Sequence, residues 1–171
     1  GGPAGQPRTG AACYLAVACG YSHTVALRGD GRVFAIGASP DGRCDTAAWH
    51  DVVDIACGVR HTAAVLSDGH CVATGDNSRG QCAVGDWENV VMIACGEFHT
   101  AGDTADGQVL VAGNAGGEAC RVEDLRDVIS VACLPEATVC VHADGHMTVR
   151  GGDGMLAEAV APIRDAGSEE G

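Results

Sequence analysis

The chain has 171 residues and a formal net charge of −13, with no lysine and ten arginines. A protein that tracks nucleic-acid phosphates or lies on an anionic membrane needs a basic face, and this sequence offers no basic cluster. No apolar run approaches the roughly 18 residues that cross a bilayer. The sequence therefore argues against nucleic acid and against membrane as partners.

The apolar residues are small. Hydrophobic residues make up 46% of the chain, but Trp, Tyr and Phe occur only twice each, and there are 26 glycines. This composition favours thin layers of small side chains joined by tight turns. The opening segment "GGPAGQPRTG", residues 1–10, is interpreted as a tag or linker, and residues 164–171 as an acidic tail.

Four segments repeat in phase. They begin at residues 18, 56, 94 and 132, a constant spacing of 38 without insertion. Such a period is typical of repeat architectures, in which each unit buries its faces against its neighbours. The predicted units span 11–48, 49–86, 87–124 and 125–163, and the segments read "ACGYSHTVALRGDGRVFAIG", "ACGVRHTAAVLSDGHCVATG", "ACGEFHTAGDTADGQVLVAG" and "ACLPEATVCVHADGHMTVRG".

The second unit shows the predicted local structure. "DVVDIAC" alternates, which places Val53, Ile55 and Cys57 on one face of a strand. "HTAAVL" predicts a second strand, an Asp-Gly pair predicts a hairpin turn, and "HCVATG" predicts a third strand. Each unit is thus an antiparallel meander of three strands, with space for a short fourth edge strand and none for a helix.

Sheets of this kind that repeat around an axis form a β-propeller, whereas a parallel β-helix has shorter turns and no Asp-Gly hairpin. We therefore predict an all-β chain of four propeller blades, as part of a seven-bladed propeller or as an open arc. Trp49 and Trp87 share one repeat position with Leu125 and Ile163, and we expect them to pack between blades.

The repeated pattern resembles a known family. "ACGxxHT", "DGxV", a closing Gly, "GDNSRGQC" and "DWENVVMIACG" are similar to the repeats of the regulator of chromosome condensation family, in its compact bacterial-type version. The resemblance covers residues 11–163. It implies seven-bladed propellers that act as protein-binding platforms. The founding member is an exchange factor for a Ran-type GTPase and contacts chromatin, and a secreted bacterial relative inhibits β-lactamases.

The chain departs from the family pattern in three ways. It has four units, its fourth unit has Leu134-Pro135 and no His before Thr138, and Asp103 stands where the other units have aliphatic residues. The fourth unit is a capping blade, or further blades follow it. An open arc also leaves sheet faces exposed, so a homodimer is an alternative to missing blades.

The Cys and His residues form a recurrent pair. Three pairs have the spacing CxxxH and could supply zinc ligands: Cys19/His23, Cys57/His61 and Cys95/His99. Because each pair belongs to a separate blade, we predict a structural role for them, with no metal and no cofactor. We expect the ten cysteines to be reduced, buried and small-hydrophobic in character, which favours a cytoplasmic protein. No nucleophile, metal or nucleotide motif is present, so we predict a protein that is not an enzyme, with no catalytic residue.

Function is expected where the units differ. Between the Gly and the His each unit has its own pair of residues, and a second loop varies after the closing Gly; loops on a rigid scaffold are common binding sites. The predicted binding residues are Tyr21, Ser22, Val59, Arg60, Glu97, Phe98 and Arg79, while the fourth unit has Pro135-Glu136. We predict a scaffold that binds an unidentified protein. The alternatives are a GTPase exchange regulator and a propeller-type enzyme inhibitor.

Overall fold

The structure is a computed structural model that describes residues 13–114 and 117–152. The predictions for the linker 1–10, the tail 164–171 and the last part of the fourth unit, 153–163 with Ile163, lie outside the described residues. All ten cysteines and all seven predicted binding residues lie within them. No helix in the described part of the chain is long and apolar enough to cross a membrane.

The described residues form twelve strands in four three-stranded antiparallel sheets, each built from three consecutive strands. One single-turn 3-10 helix, Glu118–Cys120, is an addition to the predicted unit, which had no helix. The strands are β1 (Tyr14–Cys19), β2 (His23–Arg28), β3 (Val33–Gly37), β4 (Val52–Cys57), β5 (His61–Leu66), β6 (Cys71–Gly75), β7 (Val90–Cys95), β8 (His99–Thr104), β9 (Val109–Gly113), β10 (Val128–Leu134), β11 (Ala137–His142) and β12 (Met147–Gly151).

The predicted meander and its hairpin turn are confirmed. In the second sheet, β4 pairs with β5 and β5 with β6, and Gly69 in the connecting turn has φ of 86°, a conformation that glycine adopts without steric cost. The first strands of the four blades contact one another in chain order, so β1, β4, β7 and β10 are the innermost strands. The described residues therefore form a set of β-propeller blades that does not close into a ring.

The predicted face of the first strand is wrong at one position. The pattern places Val53 with Ile55, but the pairing of β4 with β5 shifts register between Val52 and Asp54. Val52 is consequently buried with Ile55, and Val53 is 54% exposed. The bulge follows Asp51, whose φ of 57° lies in the left-handed region that Asp and Asn tolerate. An extra residue in a strand breaks the period of two on which the sequence argument relied.

The core lies between the blades rather than within them. Three apolar clusters fill the three junctions, and each combines one face of a blade with the opposing face of the next. Trp87 and Leu125 belong to the second and third clusters, and Trp49 packs against the first, which confirms their predicted role between blades. Each blade is therefore stable only with a neighbour on its faces.

The outer face of the first blade has no such neighbour among the described residues. Val17 is 64% exposed, whereas the residues at the same repeat position in the other blades are at most 7% exposed: Ile55, Ile93 and Val131. Phe34 and Ile36 on the same sheet are also exposed. Within the described part of the chain, one apolar sheet face of the first blade is therefore left open.

Asp103 is a buried polar residue at a junction. It is 1% exposed, and its Oδ1 atom has no hydrogen-bond partner among the described residues. Burial raises the pKa of this carboxyl group, with a smaller contribution from the charge of Asp54. A buried carboxylate without a full set of hydrogen bonds destabilises the fold, so the aliphatic residues of the other units suit this position better.

We expect Asp103→Val, which introduces the residue of Val65 and Val141, to stabilise the chain by about 1–3 kcal/mol at pH 7. Urea unfolding at pH 7 and pH 3 measures the effect. The folded-state pKa of Asp103 is raised, so its penalty grows as pH rises from the ordinary value of 3.8 to the folded-state pKa, and the gain must be larger at pH 7 than at pH 3. Equal or lower stability at pH 7 would show that the carboxylate is satisfied by water.

Candidate functional site

The ends of the four innermost strands meet around one shallow pocket of about 220 Å³. Every unit contributes the same three consecutive positions: the last Cys of the strand, the next residue and the first residue of the variable pair. The lining residues are Cys19, Gly20 and Tyr21, then Cys57, Gly58 and Val59, then Cys95, Gly96 and Glu97, and finally Cys133, Leu134 and Pro135. We call this the rim pocket.

A hydrogen-bond clasp below the rim pocket joins each blade to the next. The Nε2 atom of His23 lies 2.8 Å from the hydroxyl of Thr62, and that hydroxyl donates to the carbonyl oxygen of Arg43 at 2.7 Å. Because the hydroxyl hydrogen of Thr62 is used in this way, its oxygen accepts a hydrogen bond from His23, which is therefore the tautomer with its proton on Nε2. The same clasp joins His61 to Thr100 and His99 to Thr138.

The glycine of each turn is required by the clasp. A Cβ atom on Gly58 would lie 2.3 Å from Cε1 of His61 and 2.6 Å from the carbonyl oxygen of Gly96 in the next blade. Gly20 and Gly96 meet the same two kinds of neighbour. The histidine ring therefore packs directly under the turn and fixes the position of the variable residues that follow the glycine.

The fourth unit changes both partners together. It has Leu134 in place of the glycine and Ala137 in place of the histidine. With no ring beneath the turn, a side chain is tolerated at position 134, and β10 extends to include it. At the other side of the array, the hydroxyl of Thr24 occupies the acceptor position of the clasp, and among the described residues its hydrogen-bond partner is the Sγ atom of Cys19, at 3.7 Å.

The predicted binding residues divide into two groups. Tyr21, Val59 and Glu97 line the rim pocket, and Tyr21 is 85% exposed. Four others lie beside the pocket without lining it: Ser22, Arg60, Phe98 and Arg79. The pair Leu134 and Pro135, which the sequence argument did not select, completes the lining, and its position in the repeat was the signal that could have found it.

Two of the residues beside the pocket contact each other. The guanidinium of Arg79 lies 5.3 Å from the ring centroid of Phe98, a cation–π distance.

Ser22 accepts a hydrogen bond from Arg43, whose guanidinium also donates to the carbonyl oxygen of Val59 at 3.1 Å. Arg43 is 5% exposed and is paired with Asp41, whose pKa it lowers. Arg43 thus holds the rim turns of the first two blades together, a role that the sequence did not indicate.

Three of the four cysteines that line the rim pocket have thiols that stay protonated, whereas Cys19, like Cys13, is exposed, so the expectation that all ten cysteines are buried is wrong for these two. Burial raises the pKa of Cys57 and of Cys133 to about 12, and it raises the pKa of Cys95 well above its usual range. A neutral thiol is a weak nucleophile and a small apolar side chain. Within residues 13–114 and 117–152, no group of three or more His, Cys, Asp or Glu side chains is placed to hold a metal ion.

The architecture is that of a β-propeller repeat protein, and the comparisons identify the repeats. A family model described as the regulator of chromosome condensation (RCC1) repeat matches residues 15–43 and 52–81. Residues 15–43 and 52–81 therefore carry regulator of chromosome condensation repeats, as the sequence indicated. A comparison with curated proteins finds no match.

Solved structures share the fold. Yeast RCC1 (Prp20), solved with Kap60, has a TM-score of 0.72 at 20% identity, over 85% of this chain and 45% of that chain. Human WBSCR16 has a TM-score of 0.68 at 20% identity, over 81% of this chain and 47% of that chain. The ectodomain of the Physcomitrella patens receptor kinase CR4 has a TM-score of 0.69 at 20% identity, over 87% of this chain and 43% of that chain. The chain spans less than half the length of each of these proteins.

We expect Gly58→Ala to destabilise the chain by about 1–3 kcal/mol, because the added methyl group displaces the ring of His61 or the next blade. Gly85→Ala is the matched control, since a Cβ atom there meets nothing within 4 Å. Chemical unfolding of both variants measures the difference. Equal stability of the two would mean that the junction relaxes without cost.

We expect acid to weaken the clasp. Burial lowers the pKa of His61 to about 4, so the unfolded chain, with a histidine pKa near 6.5, binds more protons between those values. The stability due to a neutral His61 is present above about pH 6.5 and is lost, by about 3 kcal/mol, as pH falls to 4. His61→Gln should flatten the stability–pH curve over this range, and an unchanged slope would contradict the clasp. His70→Gln, at an exposed site, is the control.

Proposed function

We propose that the chain is a non-enzymatic protein-interaction module that binds its partner at the rim pocket. The observation that carries the proposal is the contrast within the pocket. In the first three units its floor is made of repeated cysteines and glycines held by the clasp, and the fourth unit adds Cys133 and Leu134, whereas the four residues at its mouth are all different: Tyr21, Val59, Glu97 and Pro135. A constant scaffold with varied surface residues supports recognition of a specific partner.

The chemistry of the mouth agrees with this proposal. Tyr21 projects from the rim, and tyrosine contributes a large, rigid and amphipathic contact area to protein interfaces. Arg79 over Phe98 adds a second aromatic and cationic contact beside the pocket. The thiols of Cys57, Cys95 and Cys133 are protonated and do not form the activated nucleophile that a cysteine enzyme requires. A cytoplasmic location belongs to the same proposal, because all ten thiols are unbridged.

Regulation of a small GTPase is the second candidate, and the family match favours it. In one of the similar structures, yeast RCC1 (Prp20) is bound to Kap60. A second is a structure of Prp20p from Saccharomyces cerevisiae, described together with its binding to Gsp1p and histones. The described units of the present chain are spaced evenly and carry no large excursion from the blades. Nucleotide release from a panel of GTPases would test this candidate. Acceleration of any one of them would replace the scaffold proposal, and inhibition of a β-lactamase panel would support the inhibitor alternative.

We expect Tyr21→Ala to lower the affinity for rim-directed ligands at least about tenfold, the loss of a modest interface anchor. Peptides selected from a random displayed library against the whole chain serve as ligands, and titration gives the dissociation constants. Tyr14→Ala, an exposed tyrosine at the opposite end of the first blade, is the control. If the affinities of the selected peptides were unchanged by Tyr21→Ala and by all other rim substitutions, the proposed site would be wrong.

A further inference from the structure

The mouth of the rim pocket contains a single charged side chain. Glu97 is half-buried, and the other three mouth residues and Leu134 beside it are uncharged. In the described residues the carboxylate of Glu97 takes part in no ion pair and no side-chain hydrogen bond. Only its backbone N–H is engaged, donating to the carbonyl oxygen of Pro135 at 3.2 Å. The carboxylate is thus available at the edge of an apolar pocket.

No cation of the described residues lines the rim pocket with Glu97, although Arg60 lies beside it. The chain has no lysine, and none of its described arginines lines the pocket. Arg43 is occupied by Asp41, Ser22 and the carbonyl of Val59, while Arg79 lies over Phe98. The thiols of Cys57, Cys95 and Cys133 are held neutral by burial. Among the described residues, Glu97 is therefore the one formally charged side chain that lines the rim pocket.

We propose that the rim pocket receives a basic side chain, Lys or Arg, of a partner protein, with its ammonium or guanidinium on Glu97 and its methylene stem against Val59, Leu134 and Pro135. Basic side chains bury their stems along apolar surfaces while the charged end keeps a polar partner. The net charge of −13 attracts such a partner at long range. This inference rests on the proposed function and specifies the chemistry of the partner.

The test is a double-mutant cycle between the chain and a peptide. The probe is a peptide from the displayed-library selection in which one Lys or Arg is required for binding, together with the same peptide carrying norleucine at that position. We expect norleucine to weaken binding to the natural chain about tenfold and to leave binding to Glu97→Gln unchanged, so the two changes are not additive. Glu97→Lys should instead select peptides with Asp or Glu at that position.

Glu136→Gln is the matched control, because Glu136 is an exposed glutamate in the same loop region that does not line the pocket. Replacing the basic residue of the peptide by norleucine should weaken binding to Glu136→Gln as much as it weakens binding to the natural chain. If norleucine instead had no effect on binding to either variant, general charge attraction, not the pocket, would select the basic residue. Thermal unfolding confirms that both variants are folded, which we expect because both positions lie on the loop surface.

A second measurement uses the absence of lysine. Carbodiimide coupling of a lysine-containing probe peptide to the natural chain joins the peptide amine to nearby carboxylates, and no lysine of the chain competes. Mass spectrometry should find the cross-link at Glu97 and not at Glu136. Rim-dependent peptides without any basic preference would overturn this inference and leave the proposed function intact. A failure to obtain any rim-dependent peptide would overturn both.

Discussion

The structure depends on one hydrogen-bond clasp that crosses each blade junction. A neutral histidine donates to a threonine of the next blade, and the threonine donates to a carbonyl of the loop between the two blades. Three polar groups from three different segments are thereby satisfied in a region that is otherwise filled by small apolar side chains. The clasp sets the rotation of one blade against the next, since both hydrogen bonds require a particular distance and direction. Apolar packing alone, with Ala, Val and Cys, would specify that rotation less strictly.

The clasp also explains why the rim can vary. The histidine ring occupies the space beneath the turn and demands glycine above it, so the turn has the same backbone course in the first three blades. Apart from Ser22, which accepts a hydrogen bond from Arg43, the side chains after the glycine take no part in these junction hydrogen bonds and are free to differ. The glycine and the histidine consequently stabilise the junction, whereas the residues between them, at the mouth of the pocket, are available for recognition. The chain can change Tyr21, Val59 or Glu97 without a loss of its blades.

Much of this architecture could be predicted from the sequence because it repeats. The 38-residue spacing, the Asp-Gly turns and the tryptophans between blades each had a local physical signal that the structure confirmed. The bulge at Val53 could not be predicted, because a register shift depends on pairing with β5 rather than on the pattern of β4 alone. The role of Arg43 was hidden for a related reason. Its partners Ser22 and Val59 are distant in sequence, and the other units have Gln81 and Ala119 at its position.

The threonine of the first blade gives the array a direction. Thr24 presents the receiving half of the clasp on an open apolar face, whereas Ala137 and Leu134 in the fourth blade lack the donating half and the space for it. A further repeat placed ahead of the first blade would therefore find a prepared hydroxyl and an exposed Val17 to cover. One placed behind the fourth blade would need a new way to dock. Lengthening such a protein by duplication of units is, on this account, a one-ended process, and a designer who wishes to extend it should build from the side of Thr24.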